Sequence, residues 1–469
     1  MSAFFARTDE KARLGRFMNS DELTVSLVYG RRRIGKSELI KVCLRESDRT
    51  GIYYECKQTT ELNNVQSLAA LVADALGYPP LAFGGIEELL GFIFDRARDK
   101  DLILVLDEYP YLRKSVVGLD SILQALIDSG RSASHLSLVL CGSYVDVMKS
   151  LLEQDNPLFG RVDLALALGP LDYYDSANFY PQASDEDKVR LYSVFGGVPY
   201  YNSRIDSERS VRQNIIELIA GPNARLENEV EMYLRSEISK MENANEVFEA
   251  LASGYSRYKD ILSQSHVSSG PAMVDVLNKL VRMELVERQA PMNDPANRRK
   301  TSYRIVDGLS LFYYRYLFRY ASQRSVMNPE AFYDRYISED FETNFVPHAF
   351  EDVCRQFLVR ENRAGTLRDP FELIGRYRYD DPVAKTSGEF DVVTQDERGY
   401  AFYEAKFRSS PVSRGMIVDE IGQVEATGLA CHTFGFFSRS GYTDGARELA
   451  EEDGRIRLYE LEDLYREGV

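Results

Sequence analysis

Gly30, Arg31, Arg32, Arg33, Ile34, Gly35, Lys36 and Ser37 spell Gly-x4-Gly-Lys-Ser, and what surrounds them decides the fold. Upstream, Leu23 to Tyr29 is an apolar run containing β-branched residues, which predicts a buried strand. Downstream, Glu38 to Leu44 carries apolar residues at helical spacing. Strand, glycine loop and helix together make a phosphate cradle, with loop N–H groups and the helix N-terminus facing the anion. Lys36 is expected to reach the β- and γ-phosphates of ATP, and Ser37 to ligate Mg²⁺. Arg31, Arg32, Arg33, Ile34 and Glu38 belong to the same nucleotide-binding segment. A plain glycine turn before a helix is the alternative, and strand, Lys-Ser and helix in register argue against it.

Working outward, a second apolar run, Leu102 to Leu106, ends in Asp107 and Glu108. A carboxylate pair at the end of a buried strand is where a phosphate-loop enzyme needs one. Asp107 would hold Mg²⁺ directly or through water, and Glu108 would polarise the attacking water. A third run, Leu136 to Cys141, ends in Gly142 and Ser143. Ser143 is either a sensor of the γ-phosphate or part of a simple turn, and the residues leave both open. Strands alternating with helical segments imply a parallel sheet covered on both faces.

The chain has 469 residues, 44% of them apolar and 28% charged, which fits two to four globular domains. A net charge of −16 argues against general coating of nucleic acid or anionic membrane, though not against a local basic groove. Five scattered cysteines without a CxxC pair point to buried thiols in a reducing, cytoplasmic compartment. The four histidines are isolated and form no zinc pattern. No apolar run reaches membrane-spanning length, and the first residues do not read as a signal peptide. Phe5 to Leu14 predicts a first helix capped by Thr8 or Asp9.

These motifs, with Pro157 to Arg161 and Gly196-Gly-Val-Pro199, resemble the archaeal-type ATPases, signal-transduction ATPases with numerous domains within the AAA-like P-loop group. The resemblance implies that Pro199 lies in a helical lid and approaches the nucleotide. It makes Arg161 a candidate phosphate-sensing arginine, acting within one subunit or from a neighbouring one in a homo-oligomer, with a surface ion pair as the competing reading. Asp185 to Tyr192 and Val211 to Ile219 are the helices expected in that lid.

Between 241 and 310, three short helices (Glu246–Leu251, Tyr258–Ser263, Pro271–Met283) precede two strands around a polar tip carrying Arg298, Arg299 and Lys300. Ser268-Ser-Gly-Pro271 supplies a helix-start signal. This is the order of a winged helix-turn-helix, a module that contacts DNA with a helix and a basic wing or serves as a protein adaptor. From 246 to 306 the chain carries nine Lys/Arg against seven Asp/Glu, a slightly basic stretch within a very acidic chain. Leu309 to Tyr320 is dense in Phe and Tyr and reads as a packing helix.

Further on, Glu389 to Thr394 and Tyr400 to Phe407 predict a hairpin turning at Asp396 to Gly399. Pairing Gln395 with Tyr400 sets Asp391 opposite Glu404, so Glu389, Asp391, Glu404 and Lys406 share one face. Facing carboxylates repel unless a cation such as Mg²⁺ lies between them, and Lys406 beside it could stabilise developing charge. Asp391 with Glu404-Ala-Lys406 resembles the PD-(D/E)xK nuclease superfamily, although Phe390 stands where the family name has Pro. The resemblance makes Glu351, on a helical run, a further metal carboxylate, and matches Gln423 to a polar helix position; Ser438 ends the next strand.

The fold class expected is therefore α/β. A P-loop ATPase core (1–170) with parallel sheet and a helical lid (171–240) comes first, then a winged helix-turn-helix (241–310), a helical connector (311–345) and a restriction-endonuclease-like domain (346–469). The expected function is ATP hydrolysis coupled to DNA processing or defence by a metal-dependent nuclease. The alternative is an ATP-dependent switch or scaffold whose C-terminal domain binds but does not cut.

Overall fold

The computed structural model describes residues 5–227, 229–231, 243–267, 269–297, 299–381 and 386–466. The chain forms two compact units, Met1–Pro170 with Val198–Tyr200, and Leu171–Gly197 with Tyr201–Val469.

In the first unit, β1 (Thr24–Tyr29), β2 (Thr50–Glu55), β3 (Leu102–Asp107), β4 (Leu136–Gly142) and β5 (Leu164–Ala167) form one sheet in the order β2-β3-β4-β1-β5. Every neighbouring pair is parallel. β1, β3 and β4 are buried along their whole length, as central strands covered on both faces must be. These are the three runs that the sequence marks as strands. β2 and β5 escape such a reading because they are edge strands with exposed positions, and β5 is only four residues long.

The first helix spans Thr8–Met18, but its cap is not the one expected. Thr8 and Asp9 lie inside its first turn, and the preceding Arg7 takes a left-handed conformation at φ 59° with no side-chain cap. The Arg7 guanidinium instead donates to the carbonyls of Ile34 (2.9 Å) and Gly169 (2.7 Å). A sequence-local capping rule cannot anticipate such a long-range partner.

In the second unit, helices Asp185–Phe195 and Val211–Ile215 form where expected, the latter running on as a π-helical turn, Ile216–Ala220. Helices Ala244–Ala252, Tyr258–Gln264 and Gly270–Arg282 precede an antiparallel hairpin of β6 (Val286–Gln289) and β7 (Ser302–Ile305). Ser269 caps the third of these helices, its hydroxyl accepting from Ala272 N. Ser268, Arg298 and the stretch 232–242, which carries the expected boundary at 240, lie outside the described residues. The aromatic run forms helix Gly308–Phe312 and π-helical Tyr313–Phe318, and its rings pack on one another and on Phe248 and Phe345, as a packing helix should.

The last sheet is mixed. β8 (Leu373–Asp381), β9 (Thr386–Asp396), β10 (Gly399–Lys406), β11 (Cys431–Ser438) and β12 (Ile456–Glu460) lie in the order β12-β11-β10-β9-β8. The β8–β9 and β9–β10 pairs are antiparallel, and the β10–β11 and β11–β12 pairs are parallel. Helices Val346–Ala364 and Arg414–Glu425 accompany this sheet, making the C-terminal part α/β. All five cysteines are free thiols, and four are buried.

Candidate nucleotide-binding site

β1 delivers the chain into the glycine loop, and the loop hands it to helix Lys36–Arg45. At Gly30 the backbone passes so close to the next segment that a Cβ would sit 2.2 Å from the Leu168 carbonyl oxygen, so only glycine fits. Gly35 turns the chain at φ 94°, and no side chain caps the helix behind it, which leaves its first N–H groups for an anion. Arg33 is also left-handed, at φ 67°, an unusual conformation for a residue with a Cβ. The Lys36 ammonium donates to the carbonyls of Gly30 and Arg31, each at 2.9 Å, and so spans the loop. Burial lowers its pKa, an effect the negative charges of Glu108 and Asp107 oppose.

Asp107 ends β3 beside this loop. Ser37 Oγ donates to Asp107 Oδ2 at 2.6 Å, and the Tyr53 hydroxyl, from β2, donates to the same oxygen. Burial pushes the Asp107 carboxyl up, but hydrogen bonds from Cys141, Ser37, Tyr53 and the Glu108 N–H outweigh it and hold the pKa below the ordinary value. Glu108 sits in a left-handed conformation at φ 51°, and its Oε2 accepts from Ser143 Oγ at 2.9 Å and from Ser143 N at 3.3 Å. Ser143 thus contacts the carboxylate read as polarising water, a contact that neither sequence reading contained.

Pro199 reaches the loop: its Cγ lies 3.8 Å from where a Cβ on Gly35 would stand. Arg33 stacks on the neighbouring Tyr200, 4.0 Å from the ring centre. Arg161 is placed differently. Its Nε and a terminal nitrogen each donate to an oxygen of the Asp128 carboxylate at 2.8 Å, and it also donates to the carbonyls of Pro157 and Phe159. This is the ion pair that competed with the phosphate-sensing reading.

The second cluster of sequence-predicted residues lies on the mixed sheet. Gln395 faces Tyr400, and the pairing runs to Val392 and Tyr403, stopping one residue short of the expected Asp391–Glu404 pair, where the β8–β9 register also shifts. Arg376, from β8, stands among the acids: 3.6 Å from Asp391, 3.6 Å from Glu389 and 4.0 Å from Glu351. Lys406 donates to Glu404 at 2.6 Å and to Glu420 at 2.9 Å. Glu420, three residues before the exposed Gln423, is therefore the helix position that meets the lysine. Ser438 is buried and donates to the Gly441 carbonyl.

Burial and the nearby Glu351 raise the Asp391 pKa to about 6, against the pull of Arg376. Glu404 is raised by burial despite Lys406. Glu351 accepts a contact from His348 at 3.1 Å, which raises the imidazole pKa. A cleft of about 220 Å³ opens between this face and the β6–β7 hairpin, with Arg288 and Arg355 on its wall. Among the described residues, no group of three or more His, Cys, Asp or Glu side chains is arranged to hold a metal ion.

Residues 4–204 match the sequence family described as an ATPase domain predominantly from Archaea. The chain carries an archaeal-type ATPase domain. Residues 313–417 match a second family, described as archaeal and bacterial proteins of unknown function. Over 378 residues the chain is 27% identical to the uncharacterized protein MJECL04 of Methanocaldococcus jannaschii, covering 80% of this chain and 81% of that one. The Walker-type ATPase PABY2304 of Pyrococcus abyssi has a similar structure, with TM-score 0.51 at 19% identity, over 66% of this chain and 96% of that protein. At that identity the likeness speaks for the fold.

Within the ATPase domain, Arg7 and Tyr53 are the residues that sequence reasoning missed. Neither belongs to a motif, and their partners Ile34 and Asp107 are distant in the chain. Among the described residues, no helix is long and apolar enough to cross a membrane.

Proposed function

We propose that this protein hydrolyses ATP as a switch, coupling nucleotide state to the winged-helix and C-terminal modules. The observation that carries this reading is the Ser37 hydroxyl set 2.6 Å from Asp107 at the mouth of a loop spanned by Lys36. These two oxygens are hard donors of the kind Mg²⁺ takes, so Ser37 and Asp107 would hold it, and Asp107 already carries the charge the ion needs. The ion supplies charge neutralisation at the β- and γ-phosphates. Lys36 binds the same oxygens, the loop N–H groups orient the triphosphate, and Glu108 takes a proton from the attacking water. Val198–Tyr200 belongs to the first unit while the chain on either side belongs to the second, which gives nucleotide binding at Gly35 a covalent route to the other modules.

We assign 171–240 as a lid, 241–310 as a winged helix-turn-helix, 311–345 as a connector and 346–469 as the nuclease-like domain. DNA and a second copy of the chain are the partners this layout invites. Phosphate release by the full chain tests the ATPase reading. Lys36→Ala should reduce it on the order of a hundredfold or more, and full turnover in that variant would show the phosphate site to be misplaced.

A second reading, metal-dependent cleavage of nucleic acid, is favoured by one observation. Glu351, Glu389 and Asp391 converge on the single cation Arg376, a crowding of acids that a divalent cation would also relieve. Single-stranded, duplex and branched DNA and RNA, offered with Mg²⁺ or Mn²⁺, test it. Cutting that disappears in Asp391→Ala and Lys406→Ala supports a nuclease, and no cutting on any of them leaves the switch.

A further inference from the structure

Arg32 lies at the third position of the phosphate loop, half-buried, and one of its terminal nitrogens donates to two phenol oxygens, Tyr111 and Tyr144, each at 3.1 Å. The same guanidinium faces the Tyr144 ring, 5.4 Å from its centre, and the two hydroxyls lie 3.3 Å from each other. Neither tyrosine is a chance neighbour. Tyr144 follows Ser143, whose hydroxyl holds Glu108, and the Tyr111 N–H donates to the Glu108 carbonyl at 2.9 Å. Contacts therefore run in a closed ring from Glu108 through Ser143 and Tyr144 to Arg32, and back through Tyr111. The positive charge of Arg32 is also felt at the Lys36 ammonium.

We propose that Arg32 is a catalytic residue of this chain's own ATP hydrolysis, its guanidinium stabilising the negative charge that builds on the γ-phosphoryl oxygens. The proposal rests on the ATPase reading above. In the step concerned, the water oxygen forms a bond to the γ-phosphorus as the bond from that phosphorus to the β–γ bridging oxygen breaks. The bonding pair leaves with ADP, and the water proton passes to Glu108 and then to the released phosphate. Charge moves outward onto the γ-oxygens and the bridge during this exchange, so a cation fixed at the loop rim acts more strongly on the transition state than on bound ATP. The phenol oxygens hold the guanidinium by accepting its hydrogen bonds. Tyr111 and Tyr144 are positioning residues, tying the guanidinium to the same element ends that place Glu108 and Ser143. Arg161, engaged with Asp128 through two nitrogens, is then not needed as the arginine of this site.

The test uses the full chain and three readouts: single-turnover hydrolysis, affinity for a fluorescent ATP analogue, and trapping of ADP with aluminium fluoride, which mimics the transferring phosphoryl group. Arg32→Ala should slow single turnover by about 10²–10³-fold, leave analogue affinity within about threefold, and abolish trapping. Arg32→Lys should restore part of the rate, because the charge survives without the planar fork. Tyr144→Phe, which keeps the ring and removes the hydroxyl, should cost about three- to tenfold in rate, with affinity unchanged. Specific activity should not depend on protein concentration, since the arginine is supplied by the subunit that binds the ATP.

Three results would overturn the proposal: Arg32→Ala turning over at the wild-type rate, affinity falling by the same factor as the rate, or trapping lost in Arg161→Ala but kept in Arg32→Ala. A wild-type chain that hydrolyses no ATP would instead remove the ATPase reading itself, and with it this role.

Discussion

Asp107 is met by hydroxyls, from Ser37 and Tyr53, whereas Asp391 and Glu404 are met by cations of their own chain, Arg376 and Lys406. Both sites place carboxylates on β-strands, and the sequence marks both as metal sites. The difference lies in what surrounds each acid. A carboxylate fed by hydroxyl donors keeps its charge for a metal ion, and the Ser37 oxygen can turn from the carboxylate to the same ion. A carboxylate facing a guanidinium must first lose that partner, and the separated charges then need others. The comparison teaches that an acidic motif indicates where charge is placed, while its neighbours decide whether that charge is free for chemistry.

The sharpest way to break this contrast is Asp107→Asn. If Asp107 is the metal seat, Mg²⁺-dependent phosphate release should drop by about 10²–10³-fold. Retained turnover would put the two sites on the same footing. Glu108→Gln comes next: an amide cannot take the proton of water, so turnover should fall about a hundredfold while ATP still binds. Equal loss of affinity and rate would make Glu108 a binding residue instead.

On the other sheet, Arg376→Ala leaves Glu351, Glu389 and Asp391 facing one another without their shared cation. Urea unfolding should show a loss of ~1 kcal/mol, modest because these side chains are partly solvated. Manganese binding, followed by electron spin resonance, should tighten in the same variant. An unchanged unfolding curve would mean that Arg376 does not hold this face together.

The smallest effect concerns pH. Asp391 titrates at about 6 in the folded chain, and an unfolded aspartate at about 3.9. Between those values the folded chain binds the proton more tightly, so stability is greatest below the lower value and falls as pH rises through the higher. Asp391→Asn removes that slope. Thermal unfolding should show the variant gaining on wild type by about 1–2 °C as pH rises from about 4 to about 7. Parallel profiles would mean that the charge on Asp391 costs the fold nothing.

Much of the ATPase domain was legible in advance because its signals are local. Gly30 and Gly35 answer to backbone sterics, Lys36 and Ser37 follow at fixed spacing, and β1, β3 and β4 announce themselves by unbroken apolarity. The hairpin register was legible too: a two-residue turn after Asp396 fixes every pair from Gln395–Tyr400 to Val392–Tyr403. Edge strands β2, β8 and β12 were less so, since a strand half open to solvent need not be apolar. Glu420 was not legible because the family resemblance points to Gln423, while the reach of Lys406 depends on where helix Arg414–Glu425 lies. Arg161 illustrates the opposite case: its motif was visible, but its partner Asp128, on helix Leu119–Gly130, was not.

The sequence by itself determined that a strand, a glycine loop and a helix would build a phosphate cradle, because backbone conformation and apolar spacing act over a few residues. It also determined the hairpin register behind Asp391 and Glu404, from Gln395–Tyr400 to Val392–Tyr403, because a two-residue turn fixes the pairs that follow it. Only the tertiary structure decided which groups those carboxylates would meet. Hydroxyls reach Asp107 from two other elements, and a guanidinium from β8 stands among the acids of the mixed sheet. Hydrogen bonding and ion pairing act over a few ångströms of space, whatever the distance along the chain, and such distances exist only once the chain has folded.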